Sequence, residues 1–249
     1  MSTARNQNAG SGNPPSFSFA GGRDLHPKNL EKILKTYHRN YKDYLPPKNR
    51  LIVDLGCSEG LFLEYLARRG FTNVIGVDSD PDALKVCRER LKGYNERRIE
   101  ILQENIGSFL QSKENGSVTC IVMNDVIEHF AKEELIVILR DVWRVLEVDG
   151  VFIAKTGNIE NPLNIGIYLR DFTHKIAFTR DSLRQCLIIS GFNKDRIEIK
   201  PIRNSIDNPI ELLASLFAFG ISALLKLTAR IMRMHIYETS KLIYVLARR

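Results

Sequence analysis

Apolar residues along this chain fall into two alternating patterns. Short β-branched runs at 51–54, 74–78, 98–102, 118–123 and 151–155 read as strands. Between them lie stretches with apolar residues at helical spacing. Residues 27–44 carry Leu30, Ile33, Leu34, Tyr37 and Tyr41 and end at Pro46-Pro47. Residues from 61 onward carry Leu61, Phe62, Tyr65 and Leu66, further helices are predicted at 81–91 and 106–112, and 133–147 carries Leu135, Ile138, Leu139, Val142, Val145 and Leu146. Strands that alternate with helices through short loops predict an α/β, doubly wound parallel sheet. The second half adds a helix at 179–190 stopped by Gly191, a strand at 196–200 and a last apolar strand at 241–247.

One stretch organises the rest. Leu51 to Gly60 is an apolar run that ends in Asp54 and passes through Gly56 and Gly60 into the next helix. Gly56 allows backbone amides to approach a ligand and Gly60 allows close packing of helix on strand, so the loop suits a polar small molecule at the carboxyl edge of the sheet. The small residues are Gly56, Ser58 and Gly60, with an acid two places before the first, which departs from the dinucleotide fingerprint. An acid there repels a pyrophosphate and suits a cation. A second strand ends at Asp78, placed to accept two ribose hydroxyls.

On Asp54, Gly56, Gly60 and Asp78 the sequence resembles a class I S-adenosylmethionine-dependent methyltransferase. It departs at Ser58, where that family more often has glycine. The resemblance implies a Rossmann-like seven-stranded doubly wound sheet with an antiparallel last strand, here with an apolar helical insertion at 205–235 before that strand. It implies S-adenosylmethionine as cofactor, with Asp54, Gly56, Cys57, Ser58 and Gly60 at its methionine end and Asp78 and Ser79 at the ribose. Asn105 and Ile106, or Glu104 after a one-residue slip, would meet the adenine, and Asn124 would line the donor methionine. His129 either touches the substrate or opens a helix. After strand four the chain reads Asn124-Asp125-Val126-Ile127, which lacks the Pro-Pro-aromatic pattern of nucleobase amino methyltransferases.

The segment Asp171-Phe172-Thr173-His174, followed by Phe178-Thr179, is similar to methyltransferases of saccharide or lipid-linked glycan biosynthesis. Thr179 is a natural helix N-cap, which leaves Asp171 and His174 for either proton removal from an acceptor hydroxyl or bracing of their loop. These two are the catalytic candidates, and no metal site is predicted. Quinone or lipid methylation, and a non-catalytic assembly role, stand as alternatives.

Composition narrows the partners. A net charge of +7 and a pI near 9.2 suit an anionic partner. No aromatic-interleaved basic platform appears, so nucleic acid is not expected. Cys57, Cys87, Cys120 and Cys186 are scattered without a Cys-x-x-Cys pair and read as reduced thiols of a cytoplasmic protein. Cys57 is either a nucleophile or, in the blander reading, a space-filling residue. Residues 1–25 have the composition of a flexible tail, and 26–249 read as one methyltransferase domain.

The insertion is the least ordinary part. Leu212 to Leu225 carries no charge. Those fourteen residues span about 21 Å as a helix, against roughly 30 Å of bilayer hydrocarbon, so a transmembrane span is not expected. With Lys226, Arg230 and Arg233 following, the segment reads as a peripheral helix on an anionic membrane face, or else as a homodimer contact or a lid.

Overall fold

The computed structural model describes residues 27–94, 98–206, 208–232, 236 and 238–249. The expected tail, 1–25, and Arg233 of the basic cluster lie outside the described residues.

The chain opens with helix α1 (Pro27–Tyr41), then alternates β1 (Ile52–Leu55), α2 (Leu61–Arg68), β2 (Asn73–Asp78), α3 (Pro81–Leu91), β3 (Arg98–Gln103), α4 (Ile106–Ser112), β4 (Val118–Asn124), α5 (Lys132–Val145) and β5 (Leu146–Gly157). Short α6 (Ile165–Tyr168), α7 (Arg180–Ile189), β6 (Ile197–Pro201), α8 (Pro209–Ile231) and β7 (Leu242–Arg248) follow. The seven strands lie in the order β3-β2-β1-β4-β5-β7-β6. The first five are parallel, and β7 runs antiparallel to both its neighbours, as expected for the doubly wound sheet with a reversed last strand.

Alternate strand residues feed two separate cores. Val53, Leu55, Ile121 and Met123 pack against α4, α5 and α7 through Phe109, Leu139, Val142 and Leu187. Ile52, Cys120 and Val122 pack on the other face with Leu34, Tyr37, Tyr41, Phe62 and Leu66 of α1 and α2. Burial on both faces explains why the strands read as continuous apolar runs. By the same alternation Asp54 falls on the α1/α2 side, where it is 2% exposed.

The largest boundary difference is at β5. The helix expected to reach residue 147 ends at Val145, and the strand begins at Leu146 rather than 151. Leu146 pairs with Val118, the register then shifts, and Val151 pairs with Cys120. Asp149 takes a positive φ in this bulge, and its amide donates to the Arg249 carbonyl at 3.2 Å. A long-range pairing with the chain's last residue thus sets the start of the strand, and local periodicity does not carry it.

Chain order runs β1 to β2 to β3 toward one edge and then returns to β4 and β5. The switch lies between β1 and β4, and the loops leaving their carboxyl ends diverge to leave a crevice.

Candidate active site

A cavity of about 1130 Å³ opens at that switch. It exceeds the ~300–1,000 Å³ of an ordinary small-molecule pocket and has room for two molecules side by side. Asp54, Gly56, Cys57, Ser58, Asp78, Ser79, Asn105, Ile106 and Asn124 line it, and so do His129, Asp171, Thr173 and His174. Glu104, the alternative to Asn105 and Ile106, lies on the same wall. Helix α1 closes one side: Ile33, Thr36, Tyr37 and Tyr41 line the cavity, and Tyr37 packs edge-on against Phe62 of α2 at 5.1 Å. The leading helix therefore both covers the mouth and caps the sheet.

The β1–α2 loop differs from expectation in its hydrogen bonding. The amides of Gly56 and Cys57 both donate to the Val77 carbonyl, at 2.8 and 3.1 Å, and the Gly60 amide donates to Cys57 at 2.9 Å. These donors hold the loop to itself and to β2 rather than facing a ligand. The Ser58 amide donates to Asp78 Oδ2 at 2.8 Å, and the Asp80 amide donates to Oδ1 at 2.9 Å. Ser58 has φ +47°, which glycine adopts at lower cost.

Gly56 is required for two reasons. Its φ is +76°, and a Cβ there would stand 2.4 Å from Val126 Cγ2. Gly60, expected at the cofactor, does not line the cavity, although its neighbours Glu59 and Leu61 do. A Cβ on it would meet Cys87 Sγ at 2.5 Å, so it serves the contact between the loop and α3. Cys57 reaches the wall, but its thiol bonds Cys87, and that bond together with burial pushes its pKa far up. This removes the nucleophilic reading, because a neutral buried thiol is inert. Asn105 also has a structural duty: its Oδ1 accepts from the Gly107 amide at 2.8 Å as the N-cap of α4.

Buried charge concentrates here. Burial and the Asp78 carboxylate push the Asp54 pKa up to about 8, against the opposing pull of Lys155. Burial, then Asp125, also raises Glu128, whose Oε2 has no hydrogen-bond partner among the described residues. Lys155 Nζ stands 2.6 Å from Asp125 and 5.9 Å from the Tyr37 ring centre. Burial works to lower its pKa, but Asp125, Tyr37 and Glu128 together outweigh it and hold the ammonium charged. Tyr41 is fully buried and donates to Asn124 Oδ1 at 2.9 Å. Sequence reasoning missed Lys155, Glu128 and Tyr41. Lys155 and Glu128 sit near the ends of β5 and β4 and Tyr41 ends α1, positions visible in the chain, but their convergence is not.

Another stretch of the wall is built by a clamp between two loops. The amides of Lys175 and Ile176 both donate to the Glu128 carbonyl, at 2.8 and 3.1 Å, and this brings the His129 and His174 rings to 4.8 Å between centres. The Thr173 hydroxyl donates to Asp171 Oδ1 at 2.6 Å and so accepts from His129 Nδ1 at 2.8 Å. His174 Nδ1 donates to the Tyr168 carbonyl at 3.0 Å. Asp171 Oδ2 lies 3.9 Å from His174 Nε2, beyond hydrogen-bond range, so the ring is oriented by Tyr168 rather than by Asp171. Burial, then His174, lowers the His129 pKa, while Thr173 hydrogen bonds outweigh burial and hold Asp171 below the usual carboxylate range.

Comparison with known proteins accords with this geometry. Residues 52–150 match the family model described as a methyltransferase domain. Carboxy-S-adenosyl-L-methionine synthase of Helicobacter pylori is 27% identical over 188 residues, covering 64% of this chain and 74% of that one. Ribosomal protein L11 methyltransferase of Thermosipho africanus is 31% identical over 149 residues, covering 60% of this chain and half of that one. The structure of a SAM-dependent methyltransferase from Archaeoglobus fulgidus superposes with a TM-score of 0.65 at 18% identity, covering 88% of this chain and 94% of that one. Residues 52–150 thus match a methyltransferase domain and the fold is that of class I S-adenosylmethionine-dependent methyltransferases, which implies S-adenosylmethionine as the cofactor.

Proposed function

We propose that residues 26–249 form one domain that transfers the methyl group to a hydroxyl of a saccharide or lipid-linked glycan at a cytoplasmic membrane face. In this reading Asp54 faces the ammonium of S-adenosylmethionine, Asp78 accepts its ribose hydroxyls, and the cluster of His129, Asp171 and His174 marks the acceptor end. Methyl transfer from a sulfonium is an in-line displacement, so alignment supplies much of the rate. An alkyl hydroxyl must also lose a proton, and His174 Nε2 carries the lone pair that can take it.

The observation that carries the membrane part is the surface of α8. Ile210, Leu213, Leu216, Phe217, Phe219, Leu224 and Leu227 are exposed, with Phe217 and Phe219 at 73% and 75%. The less exposed positions, Glu211, Ser222, Leu225 and Ala229, share one face. The helix thus turns one narrow face, Glu211, Ser222, Leu225 and Ala229, toward the body and most of its apolar residues outward. Lys32, on the cavity wall, pairs with Glu211 at 2.7 Å, which ties the first turn of α8 to the cavity mouth.

At 23 residues the helix is about 34 Å long and is apolar enough to cross a membrane by length and composition, which corrects the shorter estimate from the uncharged run alone. Topology argues for a helix lying flat. Its flanking strands β6 and β7 pair with each other, so both ends must return to one sheet edge. The connection from Ile231 to Leu242, even fully extended at roughly 3.3–3.6 Å per residue, reaches only about as far as the helix is long. A return across the bilayer would leave that backbone without partners.

The test pairs two measurements. Tritiated methyl from S-adenosylmethionine is expected as an ether on saccharide, in the lipid-extractable glycan or the soluble sugar fraction of an extract, and label found only on quinone, non-glycan lipid, protein or nucleic acid would overturn the acceptor class. The full chain is expected to sediment with anionic phosphatidylglycerol vesicles and a chain lacking 209–231 to stay in solution. Equal sedimentation of both would end the membrane role, and a concentration-dependent dimer without vesicle binding would assign the α8 face to a second copy.

A further inference from the structure

We propose that His129, Asp171 and His174 form a binding site for a divalent transition-metal cation of the zinc type, on the wall of the cavity that Asp54 and Asp78 also line. The inference rests on reading this cluster as the acceptor side. It adds a cation to it, through which an acceptor hydroxyl would be held.

One ligand atom from each residue lies within 4.8 Å of the others. Chemistry, more than proximity, marks the set. Each imidazole uses Nδ1 as donor, His129 to the Thr173 hydroxyl and His174 to the Tyr168 carbonyl. Both are therefore in the tautomer with the lone pair on Nε2. Asp171 is divided in the same way. Its Oδ1 is taken by the Thr173 amide at 2.9 Å and the Thr173 hydroxyl at 2.6 Å, which leaves Oδ2 toward the histidines. Outer hydrogen bonds that fix tautomer and orientation while leaving the inner lone pairs unspent are the arrangement that metal-binding histidines use.

Two imidazole nitrogens and one carboxylate oxygen suit a borderline ion such as Zn²⁺, with open positions left for water or substrate. Mg²⁺ prefers oxygen and keeps its waters. Ligand atoms at ~2.0–2.1 Å from a tetrahedral ion stand about 3.3 Å apart, so the three must close by roughly an ångström. Asp171 Oδ2 is the oxygen that Thr173 does not hold, and a small tilt of the carboxylate about the held Oδ1 would shorten its 3.9 Å separation from His174 Nε2. With the ion bound, His174 Nε2 is occupied as a ligand and the ion takes over the role that this lone pair fills in the metal-free site: an acceptor hydroxyl in an open position becomes more acidic and its proton leaves to solvent.

The test uses the full chain, stripped with chelator and titrated with Zn²⁺ by calorimetry, with Co²⁺ as a visible-absorbing substitute. One equivalent is expected to bind, with Co²⁺ absorption bands of a low-coordinate site. Asp171→Asn, which preserves shape, and His129→Ala/His174→Ala should each weaken Zn²⁺ binding at least 10- to 100-fold. S-Adenosylmethionine titrations on the same samples are expected to be unchanged and report folding independently, so a failed metal site and a failed methyltransferase reading give different results. Zn²⁺ binding of unaltered strength in both variants would assign the ion to other side chains and overturn the proposal. Absence of stoichiometric binding, or Mg²⁺ binding as tightly as Zn²⁺, would do the same.

Discussion

The Ser58 amide donates to Asp78 Oδ2 at 2.8 Å, so the end of β2 holds the β1–α2 loop in place before any ligand arrives. The carboxylate has lone pairs left on both oxygens after accepting from Ser58 and Asp80, enough for two ribose hydroxyls. Asp78→Ala removes both the latch and the acceptors. S-Adenosylmethionine affinity by calorimetry is expected to fall about 100-fold, near 2.7 kcal/mol. An affinity within threefold of the parent would show that Asp78 does not meet the cofactor.

With the cofactor ammonium at Asp54, as proposed, binding is expected to depend on pH. With its pKa near 8 in the free protein, the carboxyl is mostly protonated at pH 7. A cationic ligand favours the carboxylate, so binding below pH 8 expels a proton. Affinity should rise up to tenfold per pH unit between pH 6 and 8 and then level off. Calorimetry in buffers of different ionisation enthalpy should register that proton, and a flat profile would place the ammonium elsewhere.

The same shift has a stability sign. The folded pKa lies above the unfolded value near 3.8, so this group's contribution is fully present below about pH 4 and is lost as pH rises toward 8. Asp54→Asn should therefore raise the Tm of the cofactor-free protein at pH 8 while weakening cofactor binding. A Tm lower than the parent's at that pH would contradict the account.

Gly56→Ala combines a positive φ with a Cβ that would overlap Val126. Urea denaturation should show a loss of about 2–4 kcal/mol. Adding Val126→Ala relieves the overlap but not the backbone cost, so recovery should be partial. Full recovery would mean the conformation is not strained for alanine.

His174→Ala should reduce turnover about 100-fold or more and leave cofactor affinity nearly unchanged, since the residue lies on the acceptor side. An ordinary rate in this variant would leave the residue with loop bracing alone, through Tyr168.

Much of this protein was readable from residue order, because strand and helix patterns are set by neighbours two to four places apart. The β/α alternation, the glycine bend after β1, the acids ending β1 and β2, and the Thr179 cap all follow from such local spacing. Asp54, Gly56, Ser58, Asp78, Ser79, Asn105, Ile106 and Asn124 line one cavity as the pattern implied, because parallel strands bring their carboxyl ends to one edge. Tertiary structure alone decided what those groups do with their hydrogen bonds. Residues distant along the chain took up donors that the loop pattern left open: Val77 took the amides of Gly56 and Cys57, Cys87 took the Cys57 thiol, and Tyr168 took the His174 ring. It also decided that His129 and His174 would meet, through two amides on one Glu128 carbonyl, and that α8 would turn its apolar sides outward. Such contacts depend on which surfaces packing brings together, and no periodicity along the chain records that.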